Sequence, residues 1–171
     1  VFESNDDNAV YTYSVTAPEQ SGFYIGFFEE KRNDFTITRP FVDLLKGQKD
    51  TLNAKSHPWE GTVDPRLPIY TTSVDGSYVG MPYGIASNEI MPSMVGAAPD
   101  WYSPTSHPVT LNADFPVPLM TFAELQFIIS EYKGFSAAEY KEGIKASLEY
   151  WSGINGSSIS ASQIDSYIAA V

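Results

Sequence analysis

A chain of 171 residues is one domain's worth of sequence, long enough to bury a core. Its net charge of −11 argues against nucleic acid and anionic membrane surfaces as partners, because both require a cationic footprint. There is no cysteine, hence no disulfide framework, thiolate zinc site or cysteine nucleophile, and no apolar run approaches the ~20 residues of a membrane span. Val1 begins no signal peptide.

Near the N-terminus, Asp6-Asp7-Asn8 offers oxygen ligands but lacks the spaced acidic loop and glycine of a calcium motif, so it reads as a solvated turn. Val10-Tyr-Thr-Tyr-Ser-Val15 is β-prone and predicts a short strand. Phe23-Tyr-Ile-Gly-Phe-Phe28 is aromatic enough to be expected in the interior, as strand or irregular chain. Glu29–Asp34 is a mixed-charge, solvated stretch. Pro40 suits a first helical turn and Gly47 a C′ position, which predicts a short helix over 41–46. Residues 48–63 are polar, hold His57-Pro58-Trp59, and predict a loop.

Arg66–Gly80 carries the best β signal, with Asp75-Gly76 between two β-prone arms as a type I′ turn requires. The expectation is a hairpin pairing Ile69–Val74 with Ser77–Met81, both tip residues having positive φ. Residues 82–118 hold seven prolines and no sustained periodicity, as a long surface-draped segment does.

The strongest local signals follow. Thr121 and Glu124 make a capping box, with Met120 and Leu125 as its hydrophobic staple and Gly134 as the helix stop. The pattern repeats with Ser136, Glu139, the pair Phe135/Tyr140, and Gly153. Each cap is worth about 1 kcal/mol. Helices over 122–133 and 137–152, joined by three residues, must run antiparallel as an αα-hairpin. The second has one apolar stripe of Ala137, Tyr140, Ile144, Leu148 and Trp151. The first has a stripe of Phe122, Leu125, Ile128, Ile129 and Tyr132, plus a second flank of Ala123 and Phe127, so it expects more than one neighbour. Glu131, between those flanks, predicts a cation partner, with Arg66, Arg32 and Arg39 as candidates in that order. Ser160, Gln163 and the pair Ile159/Ile164 open a third helix.

Catalytic patterns are few. His57 and His107 each precede a proline, with no second ligand at metal spacing, and read as surface histidines. The sequence has no nucleophile elbow, phosphate-cradling glycine loop or dinucleotide fingerprint. A carboxylate pair picked from 21 acidic residues carries no weight alone. What rises above background is the aromatic content of the loops: Trp59, Tyr70, Tyr78, Tyr83, Trp101 and Tyr102. Sugar rings present apolar C–H faces that pack on such side chains. The competing reading is that each ring plugs local core.

Pro118–Glu131 resembles a helix of the SusD/RagB-like family of Bacteroidetes surface lipoproteins, and Tyr140–Trp151 is similar to the helix that follows it there. Arg32-Asn-Asp-Phe35 and Asp64-Pro-Arg-Leu-Pro-Ile-Tyr70 match that family in the same order. The resemblance implies a mainly α, helical-repeat (TPR-like) SusD-type fold with long loops and a small β-hairpin. Relatives are longer and carry a lipid anchor, so the chain reads as a single fragment, 1–171, of the C-terminal half. Residues 1–118 would be loop-rich, and 119–171 would hold the hairpin and the start of a third helix.

The implied function is non-enzymatic capture of a glycan, or of a peptide, at the surface of the outer membrane for a TonB-dependent, SusC-like transporter. No cofactor is expected, and membrane contact would come only through the lipid anchor absent from this chain. The expected ligand-binding residues are Trp101, Tyr102, Trp59, Tyr83 and Tyr78. The alternative is a structural segment that packs on helical repeats or on the transporter.

Overall fold

The computed structural model describes residues 2–30, 37–49, 56–82, 84, 86, 112–154 and 157–171. It divides into two compact units, the first running up to Ser21 and resuming over Ala113–Ala169, the second spanning Gly22–Asn112 with the last two residues.

The first unit is built on the helical hairpin. Helices α4 (Phe122–Tyr132) and α5 (Ala137–Ser152) match the expected spans to within a residue. They pack antiparallel: Phe122 and Ala123 meet Ala146, whereas Phe127 meets Gly143 and Tyr140. The turn between them is held by short-range bonds. Ser136 N–H donates to Ser130 O at 3.0 Å, and the Ser130 hydroxyl donates to Ser136 O at 2.7 Å. Gly134 adopts φ +75°, as a helix stop requires, and Phe135 follows at φ +65°, a region few non-glycine residues occupy. That geometry removes Phe135 from the expected staple. The ring is 81% exposed, and Tyr140 packs on Phe127 instead.

Capping follows the sequence in part. Thr121 Oγ1 accepts from Glu124 N–H at 3.1 Å. The Ser136 hydroxyl bonds the Glu139 carboxylate, not a backbone N–H, and Lys133 Nζ pairs with the same carboxylate. Gly153 ends α5 in a right-handed conformation, φ −88°, so it is a C-cap without the expected left-handed turn. Helix α6 (Ala161–Ala170) opens with the reciprocal box: Gln163 N–H donates to Ser160 Oγ and Ser160 N–H to Gln163 Oε1.

The N-terminal arm completes this unit. Ser4 starts a 3-10 turn over Asn5–Asp7, and the Asp7 carboxylate accepts the N–H groups of Glu3 and Ser4, which lowers its pKa. The turn is therefore self-capped, as a solvated turn would be. Asn5 Nδ2 donates to Ala146 O at 2.8 Å, and Asn8 Oδ1 accepts from Phe122 N–H at 2.6 Å. Phe122 N–H is one of the orphan donors at the start of α4, so Asn8 caps that helix from 114 residues away. Strand β1 (Ala9–Thr12) pairs antiparallel with β2 (Pro116–Met120). The β1 strand is expected from sequence; its partner, with Pro116 and Pro118, is not. Prolines are tolerated on an edge strand because nothing there needs their missing N–H.

In the second unit, α2 (Arg39–Leu45) has proline in its first turn and Gly47 at φ +67° beyond its end. Its buried face, Val42 and Leu45, meets Leu67 of α3 (Leu67–Tyr70), with Ile37, Tyr70 and Tyr78 packed around them. Backbone approaches are close. A Cβ at Gly47 would collide with the Thr62 backbone, and one at Gly80 with that of Arg39.

Four expectations are corrected here. The hairpin over 69–81 shrinks to a single antiparallel bridge, Val74 with Ser77, although Asp75 (φ 48°) and Gly76 (φ 75°) form the expected tip. Leu67–Tyr70 is helical because Pro68 pre-sets the first turn and Arg66 N–H bonds Asp64 Oδ1 at 2.8 Å. The Phe23–Phe28 run is neither strand nor buried. It is helical, α1 (Gly22–Tyr24) passing into a π-turn over Ile25–Glu29, with Phe23 and Phe28 about half exposed. Finally, Glu131 lies exposed, and Arg66 is engaged by Asp64, so the flanks expected to bury Glu131 do not do so.

Candidate functional site

Of the five expected ligand residues, Trp59 and Tyr78 fall among the described residues; Trp101, Tyr102 and Tyr83 lie outside them. Both described rings are anchored at the C-terminal end of α2. Trp59 sits in a turn whose Glu60 carboxylate accepts from His57 N–H at 3.0 Å and from the Ser56 hydroxyl at 3.4 Å. Glu60 N–H in turn donates to His57 O. The turn is docked on the helix by Gly61 N–H to Gly47 O at 2.8 Å and Asp64 N–H to Leu45 O at 2.7 Å. These bonds explain the bare Gly47: the two backbones touch, with no room for a side chain. Tyr78 is held from the same end, where Lys46 Nζ donates to its carbonyl at 3.2 Å.

The Trp59 ring is stacked on His57, centroids 4.3 Å apart and planes 12° from parallel. Both rings are half-buried. A polar imidazole thus lies flat against the indole, and His57 does more than an ordinary surface histidine. Tyr78 is half-buried against the Val42–Leu45–Leu67 cluster, so part of its ring serves the core.

The Asp64-Pro-Arg-Leu-Pro-Ile-Tyr70 block proves to be a compact electrostatic unit. Asp64, 3% exposed, accepts from the backbone N–H of Arg66 and from its guanidinium, Nε at 2.9 Å and Nη2 at 2.5 Å. A buried carboxylate is costly unless paired, and this fork supplies the pairing. Arg66 also lies over the Tyr70 ring, 5.9 Å from its centroid. Burial pushes the Tyr70 hydroxyl up to about 12, with the nearby Asp64 charge adding to the effect and Arg66 opposing it. The block therefore fixes α3 and the floor beneath Tyr70 and Tyr78. Phe41 closes on Tyr70 at 5.6 Å. Among the described residues, no group of three or more His, Asp or Glu is placed to hold a metal ion, and no helix is long and apolar enough to cross a membrane.

Sequence reasoning missed a further aromatic group. Phe23 and Phe27 stack at 6.5 Å with planes 24° apart, and Tyr24 and Phe28 at 5.0 Å with planes 26° apart. The i, i+4 spacing of both pairs was the available sign, and a helical rather than extended reading would have used it.

A family model, SusD-like, described as starch-binding associating with outer membrane, matches residues 1–171. Two solved structures are similar in fold. One is a chitin-binding protein, 23% identical with a TM-score of 0.68, matched over 100% of this chain and 36% of its own. The other is a Bacteroidetes AC2a SusD-like protein, 16% identical with a TM-score of 0.62, matched over 100% of this chain and 44% of its own. The chain thus spans less than half the length of either. No curated protein matches it.

Proposed function

Because the chain belongs to the SusD-like family, whose model covers all of it, we propose that it is part of a non-enzymatic protein that binds glycans at the bacterial outer membrane. The match over residues 1–171 is the observation that carries this reading. The starch-binding family and the chitin-binding neighbour both support neutral polysaccharides as the ligand class. In the full-length protein a lipid anchor would hold the binding surface outside the cell, and the glycan would pass to a TonB-dependent, SusC-like transporter.

The ligand surface is assigned to the loops between residues 48 and 118, with Trp59, Tyr78, Tyr83, Trp101 and Tyr102 as the stacking residues. Trp59 supports the assignment: the turn that carries it is held to the end of α2 by backbone bonds from Gly61 and Asp64, and its ring is stacked on His57, so little ordering cost follows when a ligand arrives. Each ring contact contributes about 1–2 kcal/mol, so several are needed for useful affinity. Calorimetry of the full-length protein with maltoheptaose and chitohexaose tests the reading. A Trp59→Ala, Trp101→Ala, Tyr102→Ala triple variant with unchanged melting is expected to bind at least tenfold more weakly than wild type. Unaltered affinity would move the site out of this segment.

One observation favours a second role for the first unit. Ile128, Tyr132 and Phe135 are exposed, Tyr132 by 89%, on a hairpin whose α4 carries more apolar surface than α5 covers. That face suits packing on further helices in a longer protein. Protection of a Tyr132→Cys thiol from labelling in the full-length protein is the expected result.

A further inference from the structure

The turn that carries Trp59 is closed on itself as well as docked on α2. The Glu60 carboxylate accepts from the backbone N–H of His57 at 3.0 Å and from the Ser56 hydroxyl at 3.4 Å. Glu60 N–H donates back to His57 O at 3.1 Å, so one residue holds the backbone of His57 on both sides. The imidazole that this backbone presents lies on the Trp59 indole, centroids 4.3 Å apart and planes 12° from parallel. Rings that close and that parallel are in van der Waals contact, with no room for a third group between them. His57 therefore occupies one face of Trp59, and a ligand can stack only on the other.

We propose that His57, held by Glu60, is a positioning residue of the loop site: it sets the plane of the Trp59 ring and restricts that ring to one ligand-bearing face. This role rests on the reading of Trp59 as a stacking residue given above. Its physical basis is the cost of ordering. An indole free to turn about its side-chain torsions must be immobilised when a ligand stacks on it, and that loss of freedom lowers the affinity. A flat partner on one face settles the ring plane beforehand, with the aromatic contact itself favouring the arrangement. His57 cannot carry its own ring away, because Glu60 engages both its N–H and its C=O. An aliphatic side chain at this position would fill the space without defining a plane. Coverage of one face also limits the ligand geometry. Trp59 cannot be sandwiched between two sugars, so it serves as the wall of a binding surface and not as a blade inside a slot.

The test is a double-mutant cycle on the full-length protein, with maltoheptaose and chitohexaose as calorimetric probes and melting compared first. For whichever probe binds wild type, Trp59→Ala is expected to weaken binding, and His57→Ala to weaken it about fivefold. His57→Ala added to Trp59→Ala is expected to change nothing further, because His57 acts through the ring. His57→Phe keeps a flat partner and is expected to stay within about twofold of wild type. If alanine at 57 lowers the melting temperature, His57→Leu takes its place in the cycle, since it keeps bulk without a flat face. Wild-type affinity in His57→Ala, with Trp59→Ala weakened, would overturn this role and leave the loop site standing. An equal loss from His57→Ala with and without Trp59 would show an effect independent of the ring, and a loss in His57→Phe as large as in His57→Ala would make the imidazole a direct ligand contact; either result overturns the proposal. Wild-type affinity in Trp59→Ala would remove the ring from the site and the positioning role with it. Binding of neither probe by wild type would sink the glycan reading and this role together.

Discussion

The two units hold themselves together by different means. The helical hairpin is written locally: caps, a glycine stop and i, i+4 pairs all lie within a turn or two of one another. The loop-rich unit is fastened by contacts between distant backbone segments, with Gly61 on Gly47, Asp64 on Leu45 and Met81 on Ile37. A hairpin of the first kind tolerates side-chain change but depends on its buried stripe. A unit of the second kind depends on bare backbone fitting bare backbone as well as on its Val42–Leu45–Leu67 cluster.

The sharpest way to break that contrast is at Gly47. A Cβ there would meet the Thr62 backbone, and the residue sits at φ +67°, so both packing and conformation oppose alanine. Gly47→Ala is expected to cost 3 kcal/mol or more, about 1 for the left-handed φ and the rest for displaced backbone. Gly61→Ala is the control. It shares the positive φ, +82°, but has open space around it, so about 1 kcal/mol is expected. Urea midpoints of the two variants measure the difference, and equal losses would mean that the close approach does not matter.

In the hairpin the corresponding probe is Leu148, which is fully buried. Leu148→Ala should cost about 3 kcal/mol through lost burial and the cavity left behind. Tyr132→Ala in the 171-residue chain by itself should stay within about 0.5 kcal/mol. A comparable loss at Tyr132 would show that its ring is covered in solution.

The smallest expected effect is a pH dependence. Hydrogen bonding by Lys133, and then by Ser136, pulls the Glu139 carboxyl down from 4.5 to about 2. A folded pKa below the unfolded one stabilises the hairpin above pH 4.5, and that contribution is lost as pH falls toward 2. A slightly shallower acid transition is therefore expected for Glu139→Gln, and proton titration by NMR should place the wild-type carboxyl well below the ordinary glutamate range.

The same contrast decides what was legible in the sequence. The ends of α4 and α5, the Ser160–Gln163 box and the positive φ of Asp75 and Gly76 follow from signals a few residues apart, and the structure has them all. The rest fails where a second local signal overrides the first or where the neighbour lies far along the chain. Leu67–Tyr70 is β-prone by composition, but Asp64 and Pro68 turn it into a helix. Glu131 looked half-buried on a wheel drawn for α4 alone, because a wheel shows which residues share a face and not which face finds a neighbour. Strand β2 was hidden by its prolines. Of the loop aromatics, Trp59, Tyr70 and Tyr78 fall among the described residues, and neither the His57 stack nor the core duty of Tyr70 and Tyr78 is visible from spacing.

The cap that Asn8 places on Phe122 has a consequence for how the chain folds. Closing a loop of 114 residues costs roughly 4 kcal/mol of chain entropy before any contact rewards it. The α4–α5 hairpin needs only a three-residue connection and has no such barrier. The hairpin is therefore expected to form before the N-terminal arm, with β1 and its two asparagines, docks on it. In the native protein the order reverses: the arm, held by a few hydrogen bonds and the Phe2 contact, is the part that lifts first. Amide exchange at Phe122 should then report the detachment of residues 2–12 and not the melting of the helix that contains it.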